Sequence, residues 1–226
     1  MDMKYFTEYQ QEKHDICEYG RRLYQRGLVG GNEGNLSFRI KNTVLVTPTM
    51  ESKGCLVPEM ILELNLHDGS LASPSDYRES SETLLHISIL KANTDLRCVI
   101  HAHPVYATAL AVIGDPIVAT LVPETQFFFG DEIPIAKYAH PGTQTLADSV
   151  LPYVKKGCGA LLENHGAVTW GKTLKEAFFA METLESYCQM YMLTKYLANK
   201  QNHIPSESIQ IINSIRTKVF KLDSEV

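Results

Sequence analysis

The chain has 226 residues, of which 44% are hydrophobic and 21% are charged, a composition that fits one domain with a sizeable core. The net charge of -5 gives no electrostatic reason to bind nucleic acid or an anionic membrane, and argues against both as partners. The five cysteines include no CxxC pair, and no signal-peptide or membrane-spanning run is visible, so we expect a reduced, cytoplasmic protein without disulfides.

Hydrophobic periodicity predicts alternating helices and strands that form a single domain over residues 1–226. An amphipathic helix over about 7–27 leads into a turn rich in glycine and asparagine at 30–35. The further predicted elements are, in chain order, strands at 36–40, 44–47 and 61–66, a helix at 81–92, a strand at 98–103, helices at 104–113 and 142–153, strands at 159–163 and 167–170, and helices at 174–197 and 206–220. Strand pairs followed by helices indicate the α/β class, with a sandwich built on a mixed, largely antiparallel sheet.

Three histidines lie at the ends of predicted strands. His101 and His103 follow the apolar run 98–100, and because strand side chains alternate, both point to the same face. His165 follows another apolar run at 159–162. Three imidazoles around one ion leave a coordination position open for substrate, which is typical of catalytic rather than structural zinc sites. The pattern predicts a metal-dependent enzyme, with zinc favoured and manganese, cobalt or iron open as alternatives.

Glu82 lies at a predicted helix start and allows two interpretations. In one, Ser80 or Ser81 caps the helix and Glu82 lies in a first turn favoured by the helix dipole; in the other, the Glu82 carboxylate approaches the metal, and both can hold at once. His86, one helical turn further, either contacts the site or packs in the core. Lys53 is the nearest lysine by motif, but we expect it to be a solvent-exposed loop residue, so no Schiff base is indicated.

Five short motifs occur in a fixed order along the chain. They are Gly34-Asn35-Leu36-Ser37, Val46-Thr47-Pro48-Thr49, Ser80-Ser81-Glu82, His101-Ala102-His103-Pro104 and Asn164-His165-Gly166. Over about residues 7–197 this order resembles the class II aldolase/adducin-domain family, which includes L-fuculose-phosphate aldolase and L-ribulose-5-phosphate 4-epimerase. The resemblance implies a three-layer αβα fold and a homotetramer with active sites between neighbouring subunits, each holding one zinc ion.

The resemblance also implies a role for individual residues. It makes His101, His103 and His165 the zinc ligands, and it makes Glu82 the carboxylate that approaches the metal and acts as acid/base. The positions that it assigns to the substrate phosphate are Gly34, Asn35, Thr49, Ser80 and Ser81. A glycine- and asparagine-rich turn exposes backbone N–H groups, and serines at a helix start add hydroxyls and amides, although each feature alone is also ordinary turn or capping chemistry.

The activity that the resemblance implies is reversible, zinc-dependent cleavage of a ketose 1-phosphate into dihydroxyacetone phosphate and an aldehyde. Breaking a carbon–carbon bond next to a ketone gives an enediolate, whose oxyanion a zinc ion stabilises as a Lewis acid. Glu82 would remove or return the proton at the hydroxylated carbon. The expected binding partner is a small phosphorylated sugar.

Two positions depart from the family pattern. Met50 stands where the family often has glycine, and its side chain would narrow the phosphate end or change the substrate tail that is accepted. Glu124 lies in a segment where L-fuculose-phosphate aldolase has a tyrosine, and no tyrosine follows Tyr196, which argues against L-fuculose 1-phosphate as substrate. Glu124 is either a second acid/base at the aldehyde-side oxygen or a solvated loop residue.

Three other functions stay open within the same fold. The main alternative is a decarboxylase or dehydratase of a sugar-acid or thio-sugar phosphate, with which Glu124 is compatible. A 4-epimerase is disfavoured because those enzymes usually carry aspartate at the Glu82 position. A non-enzymatic scaffold like the adducin head domain is disfavoured because Glu82 and all three histidines are retained.

Overall fold

The structure is a computed structural model, and it describes residues 9–222 of the chain. The strands are β1 Asn35–Ile40, β2 Thr43–Val46, β3 Leu62–Asn65, β4 Cys98–Ala102, β5 Ile117–Val118, β6 Glu132–Ile133, β7 Ile135–Ala136, β8 Gly159–Leu162 and β9 Gly166–Gly171. Seven of them form one sheet in the order β3-β2-β1-β4-β9-β8-β7, while β5 and β6 pair separately. Only the β7–β8 pair of the large sheet is parallel, so the predicted mixed, largely antiparallel sheet is confirmed.

Seven α-helices are present within the described residues. They are α1 Gln10–Gln25, α2 Thr83–Ala92, α3 Val105–Ile113, α4 Pro123–Phe129, α5 Gln144–Val150, α6 Leu174–Met192 and α7 Ser206–Phe220. A π-helical turn at Leu193–Leu197 extends α6, and short 3-10 helices occupy Pro58–Met60 and Leu151–Tyr153. Within residues 9–222, no helix has the length and apolar character needed to cross a bilayer.

The helices cover both faces of the large sheet because the side chains of each strand alternate between the faces. On β4, Ile100 joins a hydrophobic cluster with α1, α3 and α6, whereas Val99 joins a second cluster with α2 and α5. On β8, Leu161 belongs to the first cluster and Leu162 to the second. The fold is therefore the expected three-layer αβα sandwich.

Most predicted elements agree with the structure, with three differences. Residues 7 and 8, where the first helix was predicted to begin, lie outside the described residues. The segment around Glu124 is not a loop but the helix α4, which begins at Pro123, a residue suited to a first helical turn. Strands β5, β6 and β7 have two residues each and are too short to show hydrophobic periodicity.

Strand register brings the predicted site residues to one end of the sheet. β4 pairs with β1 so that His101 lies opposite Asn35, and with β9 so that His101 lies opposite Val168. His165 lies in the turn between β8 and β9, which places it beside the end of β4. Because His101 is two residues after Val99, it points to the face of the sheet that α2 covers.

Candidate active site

The three predicted histidines converge at this end of the sheet. One ring nitrogen from each of His101, His103 and His165 lies within 4.8 Å of those of the other two. The Nε2 atoms of His101 and His103 are 2.8 Å apart. His101 is fully buried, while the other two are partly exposed, so the cluster is open to solvent on one side. Such an opening is what a substrate requires.

A backbone hydrogen bond orients the His101 ring so that its Nε2 atom faces the cluster. Its Nδ1 lies 2.9 Å from the carbonyl oxygen of Ala167, and because a carbonyl oxygen only accepts, Nδ1 donates. Its Nε2 atom faces both Nε2 of His103 and, at 3.0 Å, Oε2 of Glu82. Histidines that bind metals are commonly oriented in this way by a backbone carbonyl.

Glu82 reaches the cluster from the start of α2. Its Oε2 lies 3.0 Å from His101 Nε2, and its Oε1 lies 3.2 Å from His165 Nε2. Asn35 donates from Nδ2 to the same Oε2 at 2.9 Å. The helix begins at Thr83, so Glu82 is the N-cap residue, and its side chain makes no capping hydrogen bond. The carboxylate thus lies against the histidines, while the backbone N–H of Glu82 donates to Ser80 Oγ at 3.3 Å, so the position at the helix start and the approach to the histidines occur together.

Burial and charge keep the cluster in a form that binds a cation. Burial, reinforced by the neighbouring His101, lowers the pKa of His165 to about 4. The same two causes lower the pKa of His103. Burial by itself raises the pKa of Glu82, but the His101 and His165 imidazoles bring that pKa below its usual range overall. At neutral pH His103 and His165 are therefore neutral and lie beside the Glu82 carboxylate.

Gly166 allows β9 to approach β4 closely beside the histidines. A Cβ atom at this position would lie 2.6 Å from the carbonyl oxygen of Ala102 and 2.8 Å from Cδ2 of His103. Both distances are shorter than van der Waals contact, so only glycine fits without displacing the strand or the histidine. Steric contact with β4 and His103 therefore accounts for the glycine directly after His165.

The donor atoms fit zinc or a similar divalent cation. Nitrogen atoms of neutral imidazoles and a carboxylate oxygen are ligands that zinc accepts. The buried Oε1 of Glu82 forms no hydrogen bond within residues 9–222, although His165 Nε2 is only 3.2 Å away. Buried polar atoms are normally satisfied, and a cation between these two acceptors would satisfy both.

Comparison with known proteins establishes the family. The chain matches the class II aldolase and adducin N-terminal domain over residues 14–192. It belongs to this class II aldolase family.

The relatives in this family are named for different reactions. The chain is 32% identical to a 3-oxo-tetronate 4-phosphate decarboxylase of Cupriavidus necator, over 81% of this chain and 84% of that protein. It is 30% identical to a 5-deoxy-D-ribulose 1-phosphate aldolase of Bacillus thuringiensis serovar kurstaki, over 82% and 86% of the two chains. A solved L-fuculose 1-phosphate aldolase superposes with a TM-score of 0.82 at 26% identity, covering 90% of this chain and 94% of that one.

Among the phosphate candidates, Gly34, Asn35 and Ser80 lie against the cluster. The Asn35 amide that holds Glu82 also donates to Ser80 Oγ at 3.2 Å. Gly34 adopts a positive φ of 73°, and a Cβ there would lie 3.0 Å from the carbonyl oxygen of His101. These residues therefore border the same space as Glu82.

The other two phosphate candidates lie nearby in the chain but have different surroundings. Ser81 is exposed, and a Cβ atom added at Gly142 would lie 3.1 Å from the Cβ atom of Ser81. Thr49 is partly buried, and its backbone N–H donates to the carbonyl oxygen of Arg78 at 2.9 Å.

Met50 has a backbone conformation that glycine adopts most easily. Its φ is 62°, in the left-handed region that favours glycine. The side chain is 73% exposed, and its Sδ lies 3.1 Å from Nδ2 of Asn32. Met50 thus bridges the loop after β2 to the glycine- and asparagine-rich turn that precedes β1.

Glu124 does not join the histidine cluster of its own chain. Its side chain is exposed in the first turn of α4, and within residues 9–222 that side chain forms no hydrogen bond or ion pair. The helix α4 belongs to the hydrophobic cluster with α1, α3 and α6, whereas Glu82 begins α2 on the opposite face of the sheet.

Lys53 was misjudged from the sequence, and His86 follows one of its two interpretations. Lys53 was expected to be exposed, but it is 1% exposed, and its Nζ donates to the carbonyl oxygens of Asn32 and Glu51. His86 packs in the core, where its Nδ1 contacts Ser37 Oγ at 2.8 Å and burial lowers its pKa to about 3.

Glu33 is the residue near the cluster that carried no sequence signal. Its Oε2 lies 3.3 Å from Nδ1 of His103. Nothing in a glycine- and asparagine-rich turn indicates that its one acidic residue faces a histidine from a strand 70 residues later, because that contact is made by the sheet register.

Proposed function

We propose that the chain is a zinc-dependent aldolase that reversibly cleaves a ketose 1-phosphate into dihydroxyacetone phosphate and an aldehyde. The observation that carries the proposal is the position of Glu82, whose carboxylate oxygens lie 3.0 and 3.2 Å from Nε2 of His101 and His165. With His103 these histidines would hold the zinc. A carboxylate so close to them can exchange a proton with a carbon atom of a substrate bound there.

The reaction needs charge stabilisation and two proton transfers. When bound, the zinc ion would supply Lewis-acid stabilisation of the charge that develops on the ketone oxygen. In cleavage, the C4 hydroxyl loses its proton, the C3–C4 bond breaks, the aldehyde departs, and the electron pair remains on C3 as the enediolate. Glu82 delivers a proton to C3 and so forms dihydroxyacetone phosphate, while Glu124 accepts the proton from the C4 hydroxyl. Exchange with solvent then restores both carboxyl groups.

The surrounding residues position the substrate in this proposal. Gly34, Asn35, Thr49, Ser80 and Ser81 would hold its phosphate through hydroxyls and backbone amides. The proximity of Asn35 and Ser80 to Glu82 supports a phosphate at that end of the site.

We assign the chain to a homotetramer with active sites between subunits and to the cytoplasm. The exposed position of Glu124 supports the first assignment, because a neighbouring subunit could present it to the metal centre. All five cysteines are free thiols, which fits a reducing compartment.

A second candidate is decarboxylation of a 3-oxo-tetronate 4-phosphate, favoured by the 32% identity to an enzyme named for that reaction. When carbon dioxide leaves C1, the electron pair stays on C2, and the result is the same enediolate of dihydroxyacetone phosphate. This route needs Glu82 but no second acid/base, because carbon dioxide departs without giving a proton to the protein. The two candidates thus share one half-reaction and differ in the fragment that leaves.

Proton exchange on dihydroxyacetone phosphate tests the shared half-reaction. We would incubate the zinc-loaded protein with this compound in heavy water and follow the hydroxymethyl carbon by NMR. Stereospecific deuterium uptake is expected, and Glu82→Gln should keep the zinc and slow uptake by about 100-fold or more. Glu79→Gln, which changes an exposed glutamate three residues away, is the matched control and should leave uptake unchanged.

Two results would contradict the proposal. Absence of exchange in protein that holds one zinc ion per chain would exclude the enediolate chemistry, and full activity of Glu82→Gln would exclude Glu82 as the base. If exchange occurs, the candidates are then separated by adding short aldehydes, which an aldolase condenses, and by measuring carbon dioxide release from a 3-oxo-tetronate 4-phosphate.

A further inference from the structure

The three histidines differ in what their outer ring nitrogens contact. His101 Nδ1 donates to the Ala167 carbonyl, so its tautomer is fixed. The Nδ1 of His165 is buried and has no hydrogen-bond partner within residues 9–222. The Nδ1 of His103 lies 3.3 Å from the Oε2 atom of Glu33. His103 is thus the one of the three that faces a carboxylate on its outer side.

Glu33 is itself held in place by the turn that carries it. Its Oε1 accepts a hydrogen bond from the backbone N–H of Gly30 at 2.8 Å, which leaves Oε2 directed at His103. The side chain of Glu33 is 40% exposed, so the carboxylate keeps contact with water and is not a costly buried charge. The turn therefore presents a carboxylate oxygen to the ring.

The arrangement of the two neighbouring rings makes the tautomer of His103 matter. The Nε2 atoms of His101 and His103 face each other at 2.8 Å, and that of His101 accepts whenever its ring carries only the Nδ1 proton that bonds to Ala167. In the metal-free ring, a proton on His103 Nε2 would bond to His101 and block the lone pair that a cation needs. A proton on Nδ1 leaves that lone pair free, and Glu33 is the acceptor that favours this tautomer.

We propose that Glu33 is a positioning residue for the metal centre, which holds His103 as the Nδ1–H tautomer and adds a negative charge close to the cation. This inference rests on the metal site of the proposed function, but not on the reaction catalysed there. Glu33 contacts neither the cation nor the substrate and acts through His103. The turn before β1 then serves the metal centre as well as the phosphate.

A simpler role would be to close the turn through Gly30. In that case the loss of Glu33 would loosen the turn but leave the His103 tautomer unchanged. Glu33→Gln separates the two roles, because its amide oxygen can still accept from Gly30 while its NH2 group, which only donates, replaces the oxygen that faces His103. Glu51→Gln removes a charge from the neighbouring loop and is the matched control.

The test uses two readouts that do not depend on turnover. Nitrogen NMR of the metal-free protein, labelled in its histidines, reports the His103 tautomer, and competition with a chromophoric chelator reports the Kd for zinc. We expect the Nδ1–H tautomer in the wild type and a shift toward Nε2–H in Glu33→Ala, with zinc bound about 10- to 100-fold more weakly. Glu33→Gln should keep the turn but lose the Nδ1–H preference and bind zinc about as weakly as Glu33→Ala, while Glu51→Gln should match the wild type.

Either of two results would overturn the inference: an Nε2–H tautomer of His103 in the wild type, or a Glu33→Ala variant that retains both the tautomer and the zinc affinity. Failure of the proposed function looks different. A protein that binds zinc with the expected dependence on Glu33 but exchanges no proton on dihydroxyacetone phosphate would keep this inference and refute the reaction.

Discussion

Lys53 shows how a single buried charge can tie together the two loops that border the site. Its ammonium group lies between the carbonyl oxygens of Asn32, in the turn before β1, and Glu51, in the loop after β2. Burial lowers the pKa of Lys53 from 10.5 to about 8, while the neighbouring carboxylates of Glu51 and Glu33 oppose the shift. The folded protein therefore bears the cost of a buried positive charge below that pH.

The sign of the resulting pH dependence follows from the lowered pKa. Between about pH 8 and 10.5 the unfolded chain keeps the Lys53 proton while the folded protein has released it, so the free energy of unfolding rises with pH, by at most about 3 kcal/mol. Below this window the penalty is fully present. Urea unfolding of the wild type and of Lys53→Met at a series of pH values measures the effect as a difference.

The wild type should gain stability relative to Lys53→Met as the pH rises through that window. The exposed Lys200 provides the control. The difference in free energy of unfolding between the wild type and Lys200→Met should stay constant as the pH rises through that window. A difference between the wild type and Lys53→Met that stays constant with pH would show that the buried amine does not titrate there.

At the scale of elements, β9 offers a comparison between its two ends. A Cβ at Gly166 would lie 2.6 Å from the carbonyl oxygen of Ala102, and a Cβ at Gly171 would lie 2.7 Å from Cβ of Glu176. Both substitutions to alanine force a shift of packed atoms, and we expect each to lower the free energy of unfolding by about 1–3 kcal/mol. Only Gly166 adjoins the histidines.

The two variants should therefore differ in metal binding. Gly166→Ala displaces His103, whose Cδ2 would be 2.8 Å from the new atom, so its zinc affinity should fall, whereas Gly171→Ala should bind zinc like the wild type. Calorimetric titration with zinc, alongside urea unfolding, measures both effects. Equal zinc affinity in the two variants would mean that the close approach at Gly166 serves strand packing alone.

The elements that sequence analysis predicted well are those with a long hydrophobic repeat. Helix α7 has the predicted bounds, and β4 differs by one residue. Helix α4 was missed because its seven residues end in three consecutive phenylalanines, which show no helical periodicity. The site residues were likewise predictable only where a local sequence pattern marks them. The spacing of His101 and His103 predicted their convergence, but the contact of Glu33 with His103 depends on the pairing of distant strands.

At the scale of the whole molecule, the site of one chain lacks a group that aldol cleavage requires. Glu82 lies with the helices on one face of the sheet, and Glu124 belongs to a helix on the other face. Within residues 9–222 no contact joins Glu124 to the histidines, and a neighbouring subunit could present it to them. An aldolase with Glu124 as second acid/base would then assemble its active site from two chains.

Mixed oligomers test this assembly. Glu82→Gln and Glu124→Ala should each be nearly inactive alone in aldol cleavage, since each lacks one proton-transfer group. When the two variants are unfolded together and refolded at equal amounts, about one quarter of the sites should pair an intact Glu82 with an intact Glu124 from the neighbour, and activity should return to about that fraction. If both residues served the same chain, every site would remain defective and mixing would restore nothing. If Glu124→Ala alone were fully active, the second acid/base would lie elsewhere, and the decarboxylation that needs only Glu82 would become the better assignment.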